Sequence, residues 1–336
     1  MKVVITGGAG FLGLNLARAI LKRGQLTSPS GQREEVDSIL LFDQTIPDSL
    51  PDGLDERVVM QAGDISDRDT VFGLVDRDDV SVFHLASVVS GGGEKDFDLA
   101  MRVNLDGGRH VFEAARARAG LPRVVFASSI AVFGGSAMPE VAGDRAKQTP
   151  QTTYGMTKTI GELMVNDYSR KGFFDGRTAR LPTIFIRPGK PNAAASSFAS
   201  GVFREPLNGE ECVLPVATDA RMALLGYRNA VEGILRLHEA DGGEIGEDRA
   251  VMLPSHSYSV AEMIAGVKRV AAANSIVPGP ITIRPDPAIE AIVAGWAPRC
   301  EAPRALALGL ANDESLDRVI QDYIDDFMPP REPARQ

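Results

Sequence analysis

The chain has 336 residues, 44% of them hydrophobic and 24% charged, and its formal net charge at pH 7 is -9. This composition is ordinary for a globular protein with a large core, and the negative charge gives no electrostatic attraction for nucleic acid or an anionic membrane surface. No apolar run approaches the ~20 residues that cross a bilayer, and residues 3–5 are too short for a signal-peptide core. Two cysteines and four histidines show no metal-ligand spacing, so we expect a cytoplasmic protein without a metal site.

Short apolar runs alternate with amphipathic stretches through the first half of the chain. Near-continuous Val, Ile, Leu and Phe indicate strands that are buried on both faces, and periodic apolar residues between them indicate helices. This alternation predicts an α/β fold with a doubly wound parallel sheet of the Rossmann type. The predicted strands are residues 2–6, 38–42, 57–61, 80–85, 123–128 and 178–186, and the predicted helices are residues 12–23, 68–76, 99–118 and 154–171.

The pattern changes after residue 187. Residues 191–206 are rich in small residues and proline and are expected to be mostly irregular. We expect residues 1–187 to form the Rossmann domain and residues 188–328 to form a smaller substrate-binding lobe, with a helix near 228–240 returning to the first domain. Residues 329–336 contain three prolines and mixed charge and are expected to be a disordered tail.

A glycine turn connects the first predicted strand to the first predicted helix. Gly7, Gly10 and Gly13 allow the backbone to turn tightly, approach a pyrophosphate group and pack the helix on the sheet. Phe11 and Leu12 lie within this turn, and the N-terminal N–H groups of the helix that follows carry a partial positive charge. Because the glycines lie at the first strand–helix junction, they predict a dinucleotide-binding site more strongly than a purely structural turn.

Two carboxylates at strand ends indicate which dinucleotide binds. Asp43 follows the second strand, where it can accept hydrogen bonds from the adenosine ribose hydroxyls and repel a 2′-phosphate. No Arg or Lys follows it within five residues, so the sequence favours NAD over NADP. Asp64 and Ile65 close the third strand, where the carboxylate can meet the adenine amino group; alternatively, Asp64 forms a turn or helix cap before Ser66.

A tyrosine and a lysine lie four residues apart on one predicted helix. Tyr154 and Lys158 therefore share a face of that helix. The Lys158 ammonium is expected to favour the phenolate of Tyr154 and so lower a pKa that is ordinarily near ~10. Ser129 ends a strand at the same edge of the sheet, where its hydroxyl can orient a substrate hydroxyl and stabilise negative charge. Together the three side chains predict a catalytic group with Tyr154 as the base.

These motifs resemble the extended short-chain dehydrogenase/reductase superfamily over nearly the whole chain. The resemblance rests on the glycine triplet, on residues 84–86 and 129–134, and on the Tyr154-x-x-x-Lys158 pair. It implies that Tyr154 is the general base or acid, that Lys158 and Ser129 assist it, and that two chains form a homodimer through the helices of Asn104 and Tyr154. It gives Asn104 a mainly structural role. The residues assigned to the cofactor after the third strand are Leu85, Ala86, Ser87, Asn104, Tyr154 and Lys158.

A narrower resemblance is to the D-erythronate dehydrogenase family. It rests on residues 84–91, 167–170, 180–183, 187–201 and 204–207. It implies an NAD-dependent oxidation of the C2 hydroxyl of a short sugar acid to the 2-oxo acid. A nucleotide-sugar epimerase or reductase on the same scaffold is the alternative. A dehydratase is not expected, because the positions of its usual acid and base hold Ile130 and Ala131.

A sugar acid requires a cation for its carboxylate and short polar side chains for its hydroxyls. Arg221 is the preferred carboxylate contact, because it aligns roughly with a substrate-binding arginine of the nucleotide-sugar relatives. Arg187, Lys190 and Arg204 are the alternatives. The tryptophan that usually follows this arginine in D-erythronate dehydrogenases is absent, which implies a reshaped pocket, and Trp296 is expected to pack inside the second lobe. The polar residues expected at the substrate are Ser87, Ser90, Ser129, Tyr154, Asn192 and Ser197.

Overall fold

The computed structural model describes residues 1–189 and 195–329. The strands within them are β1 (Lys2–Thr6), β2 (Gln25–Thr27), β3 (Arg33–Glu35), β4 (Ser38–Asp43), β5 (Val58–Ala62), β6 (Val80–His84), β7 (Arg123–Ser129), β8 (Val141–Ala142), β9 (Asp175–Leu181), β10 (Thr183–Phe185), β11 (Cys212–Leu214), β12 (Arg221–Gly226), β13 (Ala250–Met252), β14 (His256–Ser259), β15 (Ile281–Ile283) and β16 (Arg299–Cys300).

The α-helices in the same ranges are α1 (Phe11–Arg23), α2 (Arg68–Leu74), α3 (Ser90–Lys95), α4 (Phe97–Ala100), α5 (Gly108–Arg116), α6 (Thr153–Arg170), α7 (Phe198–Leu207), α8 (Tyr227–Glu239), α9 (Gly242–Ile245), α10 (Val260–Ala273), α11 (Pro287–Ala294), α12 (Pro303–Ala307) and α13 (Leu316–Phe327). A π-helix covers Met101–Gly107, and short 3₁₀ helices cover Ile130–Val132 and Ala195–Ser197.

Seven parallel strands form the central sheet in the order β13-β9-β7-β6-β1-β4-β5. Every residue of β1 and β6 is buried, as a sheet covered on both faces requires. The strand order reverses between β1 and β6, so the carboxyl ends of these strands border the crevice in which such folds bind ligands. The predicted α/β fold of the Rossmann type is confirmed.

Helices cover both faces of this sheet. Val3 and Ile5 of β1 belong to a core that also contains apolar residues of α1 and α8. Val4 points to the opposite face and belongs to a core with α2, α5 and α6, in which Phe112 is almost fully buried. Truncating a buried phenylalanine of this kind typically costs about 3–5 kcal/mol, so this aromatic core holds α5 firmly against the sheet.

One strand prediction needs correction, and one strand of the central sheet was not predicted. Residues 178–186, predicted as one strand, divide at Pro182: β9 belongs to the central sheet, and β10 pairs with β12 in a second sheet. Proline has no N–H to donate to a neighbouring strand, so the ladder is interrupted there. The seventh strand of the central sheet, β13, was not predicted, because three apolar residues give no periodic signal.

The second half of the chain builds a smaller core around the sheet β10-β12-β14. Buried residues of α7, α10 and α13 pack on it, among them Phe203, Met263 and Ile320. The expectation that residues 191–206 are irregular was wrong from Phe198 onward, where α7 begins and is buried along most of its length. Helix α8 packs against α1, β7 and β9. The domain boundary at residue 187 stays a prediction, and residues 330–336 of the expected tail lie outside the described residues.

Candidate active site

The glycine turn after β1 leads directly into α1. Gly7 has a φ of 70°, a left-handed conformation that favours glycine. A Cβ at Gly13 would lie 2.5 Å from the Gly7 carbonyl oxygen, so the close approach of α1 to the turn also requires glycine. The N-cap of α1 is Gly10, and no side chain caps this helix end. The free N–H groups of the first helical turn are therefore available to a ligand phosphate.

Three aromatic rings pack together at this turn, and two of them come from the second half of the chain. The ring of Phe11, the first residue of α1, lies 5.2 Å from the ring of Tyr227 and 5.8 Å from that of Phe327. The last two rings are 5.3 Å apart. Since Tyr227 opens α8 and Phe327 ends α13, the turn is fixed by two helices that are distant in sequence.

Asp43 lies at the end of β4, next to the glycine turn. One carboxylate oxygen, Oδ2, accepts the N–H of Ala9 at 3.1 Å, and the other accepts the N–H of Gln44 at 2.8 Å. These bonds hold the carboxylate where a ribose would bind next to a pyrophosphate on the glycine turn. The Oδ1 of Asp64 accepts the Ser66 N–H and hydroxyl, both at 2.8 Å, so Asp64 does form the predicted turn.

The loop after β6 lines the main cavity, and Asn104 holds this loop in place. Leu85, Ala86 and Ser87 line the main cavity, as expected of cofactor contacts. Asn104 does not line it. Its amide accepts the N–H of Val88 at 2.7 Å and donates to the Val88 carbonyl oxygen at 3.1 Å. The side chain of Asn104 thus holds this loop, in agreement with the mainly structural role, and its assignment to the cofactor contacts stays a prediction.

Tyr154 and Lys158 lie one turn apart on α6, and Ser129 ends β7. The Lys158 Nζ donates to the Ala127 carbonyl oxygen at 2.8 Å, and the Ser129 hydroxyl is near enough to Tyr154 to lower the pKa of its phenol. A Cβ at Gly155 would lie 2.1 Å from a backbone oxygen of the segment after β7, so glycine lets α6 begin this close to the strand end. The three predicted catalytic side chains are thus brought together.

The pKa of Tyr154 does not follow the sequence-based expectation. Burial raises this pKa above its ordinary value, while the hydrogen bond from Ser129 and the positive charge of Arg187 lower it. Burial also lowers the pKa of Lys158 to about 7, against the opposing charge of Glu162. The expected lowering of the Tyr154 pKa did not include the desolvation of the phenol, which is the largest influence on it.

A cavity of about 1060 Å³ runs along the carboxyl edge of the sheet. Small-molecule pockets are usually ~300–1,000 Å³, so this cavity has room for a dinucleotide together with a small substrate. In the described chain, most of the predicted site residues border it. They are Gly7, Gly10, Phe11, Leu12, Gly13, Asp43, Asp64, Ile65, Leu85, Ala86, Ser87, Ser90, Ser129, Tyr154 and Lys158.

The predicted carboxylate contact is not at this cavity. Arg221 donates to the Ser257 carbonyl oxygen at 2.9 Å and forms an ion pair with Glu262 at 3.1 Å, and it is absent from the lining. It lies in β12, which pairs with β14, and this pairing directs it to a partner in the second lobe. Arg187, named only as an alternative, lines the cavity near Tyr154. The other alternative, Arg204, donates to the Arg187 carbonyl oxygen at 2.9 Å.

Two further substrate predictions fall near the second lobe. Asn192 lies outside the described residues, as does Lys190. Ser197 is half-buried and does not line the cavity, whereas its neighbour Ser196 does. Trp296, predicted to be a packing residue, contacts the second core and also lines the cavity beside Ile292 of α11. No local pattern indicated this, because an apolar segment with one tryptophan is typical of a buried helix.

The residues present fit a dinucleotide. The uncapped helix end and the glycines form a phosphate cradle that a side chain at Gly13 would fill, and Asp43 stands beside it. Among the described residues, no group of three His, Cys, Asp or Glu side chains could hold a metal ion. In the same ranges, no helix is both long and apolar enough to cross a membrane.

Comparisons with known proteins agree with this site. Residues 3–251 match the model of the NAD dependent epimerase/dehydratase family. The chain is 48% identical to a D-erythronate dehydrogenase of Cupriavidus necator over 97% of this chain and 98% of that protein. It is 37% identical to a D-erythronate dehydrogenase of Haemophilus influenzae over 97% of this chain and 99% of that protein.

A solved structure described as a nucleoside-diphosphate-sugar epimerase from Agrobacterium tumefaciens has 41% identity and a TM-score of 0.88, covering 98% of this chain and 94% of that one. A UDP-glucose 4-epimerase of Thermus thermophilus, solved with NAD, has 18% identity and a TM-score of 0.73 over 97% of this chain and 100% of that one, and shares the fold. The chain belongs to the NAD dependent epimerase/dehydratase family, the extended short-chain dehydrogenases/reductases, and is an oxidoreductase.

Proposed function

We propose that this chain is an NAD-dependent dehydrogenase that oxidises the C2 hydroxyl of a short, D-erythronate-like sugar acid to the 2-oxo acid. The observation that carries the proposal is the position of Arg187 beside Tyr154 in one cavity. A hydroxy acid requires a proton acceptor at its hydroxyl and a cation at its nearby carboxylate. The two D-erythronate dehydrogenases that match nearly the whole chain support this substrate class.

The three catalytic side chains divide the work at the substrate hydroxyl. Tyr154 accepts the hydroxyl proton as the C2 hydrogen leaves as hydride. Ser129 donates a hydrogen bond to the same substrate oxygen and fixes its direction. Lys158 is held by the Ala127 carbonyl oxygen, and its protonated ammonium group stabilises the phenolate of Tyr154. When bound, NAD supplies the hydride acceptor.

Arg187 is the proposed carboxylate contact. Its backbone N–H donates to the Ser200 hydroxyl at 3.2 Å, and its carbonyl oxygen accepts from Arg204, so both neighbours hold the segment in place. Burial lowers the pKa of the guanidinium, and the charge of Arg204 lowers it further. Within the described ranges no carboxylate forms an ion pair with Arg187, so a bound carboxylate would relieve this uncompensated charge.

NAD is proposed as the cofactor in preference to NADP. Asp43 would accept the ribose hydroxyls, and its negative charge would oppose a 2′-phosphate. Ile65 would contact the adenosine side of the dinucleotide, and Ala86 would contact its nicotinamide side. Ser87 and Ser90 would face the substrate. All of these residues line the cavity.

The direct test is NADH formation from a panel of four- to six-carbon aldonic acids, with NAD and NADP compared. Turnover of D-erythronate or a close relative, with NAD preferred, is expected. If no acid is oxidised and a UDP- or GDP-sugar instead raises the unfolding temperature, the alternative is correct: a nucleotide-sugar epimerase or reductase, as the Agrobacterium protein is described.

We also propose that the chain works in the cytoplasm as a homodimer that pairs the α4–α5 region and α6 of two copies, as the family resemblance implies. Phe97 and Leu163 on these helices are 54% and 59% exposed, so apolar side chains are available to this contact. Light scattering after size-exclusion chromatography tests this, and Leu163→Glu is expected to shift the protein to monomer. A wild-type monomer would reject the proposal.

A further inference from the structure

Side chains of α6 contact successive residues at the end of β7. The Ala127 carbonyl oxygen accepts the Lys158 ammonium at 2.8 Å. The hydroxyl of the next residue, Ser128, donates to the Oε1 of Glu162 at 2.5 Å. The residue after that is Ser129, whose hydroxyl contacts the catalytic phenol. Glu162 is thus part of the same set of contacts as the catalytic residues, although it does not line the main cavity.

Glu162 is almost fully buried, with 2% of its surface exposed. Arg180 of β9, also buried, donates through Nε to Oε1 at 3.1 Å and through Nη2 to Oε2 at 2.6 Å. The side-chain amide of Gln148 donates to Oε2 as well. Together with Ser128, these donors satisfy both oxygens of the carboxylate by hydrogen bonds. A second, polar cavity of about 260 Å³ borders the pair on the side of Asp144.

We propose that Glu162 is a positioning residue for the reaction proposed above: it fixes the end of β7, and with it Ser129, and keeps a negative charge near Lys158. The inference rests on the proposed function for its effect on turnover. Arg180 is the counter-ion that allows the carboxylate to be buried. A purely structural ion pair would stabilise the fold without changing the protonation of Lys158.

Few charges act on the Lys158 ammonium. Burial lowers its pKa to about 7, and the negative charge of Glu162 raises it. The other titratable groups facing it are Tyr154 on the same helix and His84 on β6, and burial lowers the pKa of His84 to about 3, so that this ring is neutral. Removing the charge of Glu162 leaves burial unopposed, so Lys158 would lose its proton at a lower pH and no longer support the phenolate at pH 7.

The test begins with Glu162→Gln, whose amide oxygen can still accept from Ser128. The titration of Lys158 is followed by NMR of isotope-labelled lysine side chains in the ligand-free enzyme. We expect a midpoint about one pH unit below that of the wild type, and a kcat about tenfold lower at pH 7 with little change in KM. The matched control is Asp144→Asn, a buried acid at the same second cavity, which should change neither quantity.

Two further variants separate catalysis from folding. Glu162→Gln combined with Arg180→Met removes both buried charges. The unfolding temperature should therefore return toward that of the wild type, while the titration midpoint of Lys158 stays low. Ser128→Ala leaves the ion pair intact and should lower kcat about fivefold with an unchanged midpoint. The proposal is overturned if Lys158 titrates with the wild-type midpoint in a Glu162 variant that folds. It is also overturned if Ser128→Ala leaves kcat unaltered. A shifted midpoint in an enzyme that oxidises no sugar acid supports the effect on Lys158 and rejects the proposed substrate.

Discussion

The two ends of the main cavity are built in different ways. The proposed dinucleotide end consists of the glycine turn, Asp43 and Asp64, which lie at or just after the ends of parallel strands of one sheet. The proposed substrate end is formed by Arg187, Trp296 and their neighbours, which come from segments that are distant in sequence and belong to the second core or its border. The backbone of the first end therefore follows mainly from local geometry, with the aromatic cluster of Phe11, Tyr227 and Phe327 bracing it, whereas the second end depends on how two cores pack together.

This difference separates what a substitution at each end should change. Residues at the dinucleotide end should affect cofactor affinity whatever the substrate, because their position is set by the sheet. Residues at the substrate end should affect KM and substrate preference while NAD binding is kept. The catalytic group lies between the two ends and should affect turnover alone. The following predictions test this division, from the largest expected effect to the smallest.

Tyr154→Phe removes the proton acceptor while keeping the ring in place. We expect kcat to fall about a thousandfold, within the range of a lost general base, and NAD affinity to stay near that of the wild type. Steady-state kinetics and calorimetric NAD binding measure the two quantities. Retained turnover would exclude Tyr154 as the base.

Arg187→Ala removes the proposed carboxylate contact at the substrate end. We expect KM for the sugar acid to rise about a hundredfold, because a buried charge-assisted contact is lost, with NAD affinity unchanged. Arg221→Ala is the matched control: its arginine pairs with Glu262 away from the cavity, so KM should hardly change. The reverse pattern would restore the sequence-based choice of Arg221.

Asp43→Ala removes the carboxylate beside the glycine turn. We expect NAD to bind about tenfold more weakly and the preference for NAD over NADP to narrow, because both the acceptor and the repulsive charge are gone. The KM of the sugar acid at saturating cofactor should stay the same. An unchanged cofactor preference would mean that another residue contacts the ribose.

Trp296→Ala enlarges the substrate end without removing a charge. We expect the ratio of kcat/KM for six-carbon over four-carbon acids to rise about fivefold, a change of the size that a few apolar contacts produce. Trp296→Phe is the control and should give a smaller shift. An equal loss for all acids would assign Trp296 to packing alone, as its sequence context suggested.

The fold, the family and the glycine turn could be predicted because they depend on short-range patterns. Glycines at a strand–helix junction and buried strands leave few structural alternatives. Arg187 and Arg221 could not be distinguished in this way, because the strand pairing of β12 with β14 decides which one reaches the cavity. The raised pKa of Tyr154 was missed for a similar reason, since burial is a property of the packed molecule and not of the spacing from Lys158.

The aromatic cluster at the glycine turn has a consequence for how the molecule folds. Phe11 and Phe327 lie near opposite ends of the described chain, yet their rings are 5.8 Å apart. Contacts between such distant residues raise the contact order and form late, after a large loop has closed. A local opening that detaches α13 would therefore loosen the glycine turn and weaken dinucleotide binding without unfolding the sheet.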